Sequence, residues 1–368
     1  MTLQRILPKS CRIIEEGMTA GLHSGGQIYI SKAGQVLLDT AFGLREPGSP
    51  MRTGDLMPWL SNTKPLLTIA FGQLLEKSQV CLSDPIVKWI PEFASGGKEG
   101  VTIEHLLTHT GGIRAADKIP ENLPWDETIK RICAVPLERD WIPGQTAGYH
   151  VSGSWFILAE VLQRIAGASW PDYTKRNILL HLEMRDSFVS FSPEEIEALK
   201  DRIAPMFITA GGKSDLHPPL NSPAQMLLPR PGSSGRGPIR ELARIYEMFL
   251  ADGIIQGQRF LESSTVQLLT SRRRVGKFDL TFRHTIDWGF GIIVNSNQYG
   301  AETLPYSFGR YASPDTFGHG GAQSSSAFAD PTHRLVIAWV FNGMPGEGRH
   351  NKRSRDLNTA IFEDLGLA

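Results

Sequence analysis

Strand signals stand at the two ends of this chain, and helix signals fill the space between them. Near the start, "GGQIYISKAGQVLLDTAFG" (25–43) reads as two strands around a Lys-Ala-Gly-Gln turn. In the last hundred residues, "WGFGIIVN" (288–295), "SSSAFADP" (324–331) and "RLVIAWVFN" (334–342) carry β-branched and aromatic residues with turns between them. An amphipathic helix is expected over 2–21, and others over about Asn62–Lys77, Ile239–Leu250, Glu262–Ser271 and the closing "DLNTAIFEDL". Residues 83–200 are rich in helix signals: Thr102 stands as an N-cap, Gly111-Gly112 as a stop, and Gly167 closes "SGSWFILAEVLQRIAG". The fold class predicted is α/β (α+β), a mixed antiparallel sheet built from both chain ends and flanked by helices. The first and last helices should pack on that sheet. The domain reading is 1–82 with 239–368 as the sheet unit, 83–238 as a helical insertion, and a cleft at the seam, where sites usually lie.

Charge and cysteine content exclude several classes of function. Lys plus Arg and Asp plus Glu both total 38, so no overall field attracts nucleic acid or an anionic membrane. The basic run "SRRRVGK" (271–277) is expected to be a solvated face or loop. Cys11, Cys81 and Cys133 are scattered and odd in number, neither a disulfide framework nor metal ligands. Charges interrupt the N-terminal stretch, no apolar run approaches a membrane span, and the default reading is a cytoplasmic enzyme. His105 and His109 lie four apart, yet no H-E-x-x-H glutamate or third ligand accompanies them, so neither metal nor organic cofactor is expected.

The candidate chemistry begins in "WLSNTKPLLTIAFGQLLEK" (59–77). Pro65 suits a first helical turn, which puts Ser61 at the helix mouth and Lys64 three residues on, within reach of its hydroxyl. Leu66, Leu67, Ala70, Phe71, Leu74 and Leu75 then mark one broad buried face. Ser61 and Lys64 read either as a cap and a solvated lysine or as a nucleophile and its base. The second reading requires a neutral amine, hence burial or a neighbouring cation. Two further groups lie downstream. Tyr149, in a Pro- and Gly-rich turn before a long helix, could relay a proton. His319-Gly320-Gly321 opens a strand where the backbone can approach a ligand and aim an N–H at an oxyanion.

Taken in order, these motifs resemble the serine β-lactamase and penicillin-binding-protein superfamily, which shares the Ser-x-x-Lys element. The resemblance is nearest to class C β-lactamases and the related family VIII carboxylesterases and transesterases, and it extends over nearly the whole chain. It implies Ser61 as acylated nucleophile, Lys64 as its base partner, and Tyr149 as the tyrosine of the second motif. His319-Gly320-Gly321 stands where lactamases carry Lys-Thr-Gly, and the N–H groups of Ser61 and Ala322 would form the oxyanion hole. Two departures favour esters or thioesters over penicillins. Val151 replaces an asparagine that would hold a lactam side chain, and His319 replaces a fixed cation.

His150, beside Tyr149, is assigned to the cleft wall with Val151, a surface position being its alternative. Trp59, Trp155, Trp288, Tyr306 and Phe317 could line an acyl pocket or simply pack the core. Ser234 and Gly235, in "GSSGRGP", are placed at the pocket edge. The expected activity is a serine hydrolase forming an acyl-enzyme on a small-molecule ester or thioester. Alternatives are transfer to an alcohol or amine, β-lactam or D-Ala-D-Ala peptide hydrolysis, and a silent binding protein on the same scaffold.

Overall fold

Residues 25–32 and 335–341, from opposite ends of the chain, lie side by side at the centre of the molecule. The computed structural model describes residues 3–368. Its main strands are β1 (Gly25–Lys32), β2 (Gln35–Glu46), β3 (Ser49–Pro50), β4 (Asp287–Trp288), β5 (Ile293–Val294), β6 (Phe317–Gly321), β7 (Ser325–Asp330) and β8 (Leu335–Phe341). They form one sheet in the order β4-β5-β6-β7-β8-β1-β2-β3, antiparallel throughout. This is the fold class expected from the pattern of strand signals. The hairpin turns at Ala33 and Gly34, both at positive φ (52° and 78°), the backbone of a tight two-residue loop whose twist matches its strands.

Five helices position the sheet and the site: α1 (Pro8–Thr19), α2 (Lys64–Glu76), α3 (Gly153–Ala166), α4 (Ile239–Leu250) and α5 (Glu347–Asp364). Strand β8 shows why the middle of the sheet reads as a continuous apolar run. Val336, Ala338 and Val340 join one core with Leu242 and Ile245 of α4 and Leu66 and Ile69 of α2. Leu335, Ile337, Trp339 and Phe341 alternate with them into a second core, with Ile14 of α1 and Leu357 and Ile361 of α5. Each large side chain buried this way stabilises the fold by roughly 2 kcal/mol. The end helices are also tied to one another, because Asp364 accepts the Ser10 N–H at 2.9 Å and its hydroxyl at 2.8 Å, satisfying a free donor of the α1 first turn.

Several boundaries differ from expectation. The N-terminal helical stretch is broken into Leu3–Ile6 and α1, because Pro8 has no N–H to continue the ladder; residues 1–2 lie outside the described part. The helix after Trp59 begins as a 3₁₀ turn at Leu60–Thr63 and becomes α-helical at Lys64. It is also buried nearly all round, not on one face, since every residue from Lys64 to Gly72 is inaccessible. The last helix starts nine residues earlier than "DLNTAIFEDL", through a charged stretch whose buried members, His350, Arg353 and Ser354, carry no apolar signal. The run 271–277 is largely exposed loop as expected, with one exception: Arg274 is wholly buried, paired with Asp279 at 2.8 Å. Among the described residues no helix is long and apolar enough to cross a membrane.

Candidate active site

Ser61 sits in the 3₁₀ turn that enters α2. The residue before it, Leu60, is held at φ 53°, a left-handed conformation that costs a side-chain-bearing residue about 1 kcal/mol. Packing overrides that cost. Trp59 is fully buried, its carbonyl accepts from Ser325 Oγ at 3.0 Å, and its N–H donates to the Gly235 carbonyl at 2.8 Å. Asn62 joins the turn to β6: its amide nitrogen donates to the His319 carbonyl at 2.7 Å and its amide oxygen accepts from the Gly321 N–H at 3.1 Å. The glycines of β6 belong to the same close approach. A Cβ on Gly321 would stand 2.3 Å from the Trp59 carbonyl oxygen, and one on Gly320 would stand 2.2 Å from the Tyr306 ring.

Lys64 Nζ lies 3.0 Å from Ser61 Oγ and donates to the Gly232 carbonyl at 2.8 Å. The amine is fully buried, between the rings of Tyr149 (5.1 Å) and Trp155 (5.5 Å). Burial lowers its pKa to about 7, against the pull of the Asp117 and Glu121 carboxylates. An amine in that state accepts a proton from a hydroxyl at neutral pH. Tyr149 completes the contact, its hydroxyl donating to Ser61 Oγ at 2.9 Å. Burial raises the Tyr149 pKa above the ordinary phenol range, an effect its bond to Ser61 opposes, so the group remains a neutral proton donor.

The tyrosine is fixed by its main chain and by its ring. Asp279 accepts the Tyr149 N–H at 3.0 Å, and the ring packs against Phe282 (4.8 Å), His109 (4.7 Å) and Trp288 (5.6 Å). Just beyond, Asp117 accepts the N–H groups of Val151, Ser152 and Gly153 at 2.8–2.9 Å, capping the start of α3.

A cavity of about 470 Å³ opens onto Ser61 and Tyr149. Val151, His319, Gly320, Ala322 and Tyr306 border it. His319 Nδ1 lies 2.7 Å from the Gly320 carbonyl, which can only accept, so the ring proton is on Nδ1 and buried Nε2 keeps a lone pair without a partner. Burial first, and Lys64 second, push its pKa down to about 3; His319 is neutral.

Other expected site residues lie elsewhere. His150 turns inward between cavity-facing Tyr149 and Val151; it is fully buried, and its Nε2 accepts the Ile113 N–H at 3.1 Å. Gly321 serves the backbone approach described above and does not border the cavity. Trp59, Trp155, Trp288 and Phe317 belong to the packed interior. Ser234 donates to the Val189 carbonyl and Gly235 to Thr63 Oγ1; Gly232 is the residue of that loop that reaches Lys64. The ring of His105 completes a capping box with Thr102, and His109 Nδ1 accepts the His150 N–H at 3.0 Å, so the two histidines face different tasks. Phe282, Glu347, Asn351 and Asp279 had no local signal, since each reaches the site from a distant part of the chain; Gly232 lies in the loop expected at the pocket edge, beside the residues named there.

A buried serine contacting both an amine and a phenol, at the end of a helix under an antiparallel sheet, is the constellation of a serine enzyme that works through acyl transfer. The Beta-lactamase family profile matches residues 12–360, and the chain belongs to that family as a serine hydrolase or acyltransferase. Esterase EstB of Burkholderia gladioli is 32% identical over 193 residues, 46% of this chain and 48% of that protein, so the match spans about half of its length. Among solved structures, a family VIII carboxylesterase superposes with a TM-score of 0.80 at 22% identity, covering 98% of both chains. EstCE1, described as a hydrolase with promiscuous acyltransferase activity, superposes at 0.81 with 18% identity over 98% of this chain and 99% of the other.

Proposed function

We propose that this protein hydrolyses carboxylic esters or thioesters through an acyl group on Ser61. The observation that carries the reading is the pair of contacts at Ser61 Oγ, 3.0 Å to a buried Lys64 amine and 2.9 Å to the Tyr149 hydroxyl. Neutral Lys64 takes the Ser61 proton as Oγ attacks the substrate carbonyl. The N–H groups of Ser61 and Ala322 hold the oxyanion. Tyr149 gives its proton to the departing alkoxide or thiolate and is reprotonated through Lys64. Water then attacks the acyl-serine by the same proton path in reverse.

The cavity supports esters over penicillins. Val151 offers no amide to a lactam side chain, and neutral His319 offers no cation to a lactam or peptide carboxylate. The names of EstB and of the family VIII carboxylesterase point the same way. A second reading, transfer of the acyl group to an alcohol or amine, is favoured by the apolar Val151, Phe282, Ile293 and Pro305 on the cavity wall, which would hold an organic acceptor in place of water.

The test is Ser61→Ala against p-nitrophenyl acetate and butyrate, with intact-protein mass spectrometry for the acyl adduct. The expected loss is on the order of a thousandfold or more, with no adduct. Undiminished turnover in that variant rules out Ser61 as the nucleophile.

A further inference from the structure

We propose that the cavity selects esters and thioesters carrying an ammonium group, with the Glu347 carboxylate and the rings of Phe282 and Tyr306 as a cation subsite. The inference rests on Ser61 being the acylated residue. Glu347 opens α5 at the cavity mouth, and its Oε2 accepts from the Tyr306 hydroxyl at 2.8 Å. It is the one formally charged side chain among the described residues that border the cavity. Phe282 stands 5.8 Å from Tyr306, edge to face at 61°, and 4.8 Å from Tyr149, so an aromatic wall runs from the carboxylate toward the serine.

These groups impose a field of one sign. Aromatic faces and a carboxylate attract the same partner, a cation. His319, which also borders the cavity, is neutral and adds no opposing charge. The α5 N-terminus contributes about half a positive charge, which Glu347 more than cancels. No guanidinium or ammonium borders the cavity among the described residues to receive an anionic substrate. Lys64 is fully buried behind Ser61 and engaged with Gly232.

Two isosteric pairs test this, one with the charge on the leaving group and one with it on the acyl chain. The first is acetylthiocholine against S-(3,3-dimethylbutyl) thioacetate. The second is p-nitrophenyl 4-(trimethylammonio)butanoate against p-nitrophenyl 5,5-dimethylhexanoate. In at least one pair the cationic member should show kcat/KM higher by on the order of tenfold, mostly through KM. That preference should shrink as salt rises from about 0.05 M to about 0.5 M. Glu347→Gln, whose amide oxygen still accepts from Tyr306, should bring the ratio near one, and Glu347→Lys should invert it. If neither variant folds, the wild-type salt dependence decides. A ratio at or below one in both pairs, or a preference that survives Glu347→Gln, overturns the subsite. If the ratio is one while Ser61→Ala still loses p-nitrophenyl acetate hydrolysis, only the subsite falls. Absence of turnover and of any acyl-Ser61 adduct overturns both readings.

Discussion

Lys64 owes its chemistry to where it is buried. Water normally keeps a lysine charged; here its last shell is a serine hydroxyl, a backbone carbonyl and two aromatic faces, and the pKa falls to about 7 chiefly through that loss of solvent. The base must be unprotonated to act. Activity should therefore fall about tenfold per unit below pH 7 and level off above it, read as kcat/KM for p-nitrophenyl acetate across pH 5 to 9. Tyr149, held above the usual phenol range, adds no falling limb in that window. Lys64→Arg keeps the charge but cannot release it near neutrality, and should lower kcat by on the order of a thousandfold. A profile centred elsewhere, or an active arginine variant, would remove Lys64 from the role of base.

Single elements hold these residues in register. The Tyr149 loop carries little regular structure of its own and is clamped by Asp279, which accepts three N–H groups, from Tyr149, Thr281 and Phe282, at 2.9–3.0 Å. Its other oxygen meets Arg274, whose guanidinium lies 5.3 Å from the Trp288 ring and donates to the carbonyls of Thr108 and Ile286. Removing one charge from such a pair leaves the other buried without a partner, at about 3–5 kcal/mol. Asp279→Asn should thus lose roughly that much stability in urea unfolding. Where it stays folded, kcat should drop and KM should rise with it, because Asp279 holds the phenol and also Thr281 and Phe282 on the cavity wall. The loop itself was legible as a turn before a helix. Asp279 was not, because it meets Tyr149 across 130 positions of chain. His150 shows the converse: adjacency in sequence suggested the cleft, but neighbouring side chains of an extended segment point opposite ways.

The whole molecule stores a set of neutral histidines. His23, His109, His150, His319 and His350 are all buried, with pKa values held below the ordinary range mainly by loss of solvent; His150 and His319 fall to about 3. In the unfolded chain each takes up a proton near pH 6.5. Below that point the unfolded state binds more protons, so stability is full above about pH 6.5 and is lost as pH falls toward the native values. Several such groups together remove on the order of several kcal/mol by pH 5, a sizeable share of an ordinary domain's stability. The melting temperature should fall steeply between pH 6.5 and 5. Replacing His150 or His109 by Gln should flatten that slope at the expense of stability at pH 8, and a flat profile in the wild type would contradict this account.

Periodicity and turn chemistry, which are local, are the part that the amino-acid order settles alone. The hairpin at 25–43, the apolar run of β8, the end of α3 at Gly167, and the serine, lysine and tyrosine as candidates all follow from residues within a few positions of one another. Tertiary structure decided the rest. It brought Ser61, Lys64 and Tyr149 within hydrogen-bonding distance, removed the water that would have kept Lys64 charged, and put Glu347 and Phe282 at the cavity. It also buried α2 on nearly every side, turned His150 into the core and hid Arg274. The physical reason is common to all of these: solvent access and contact between distant parts of the chain are properties of the packed sheet and its helices, and no short window of sequence contains them.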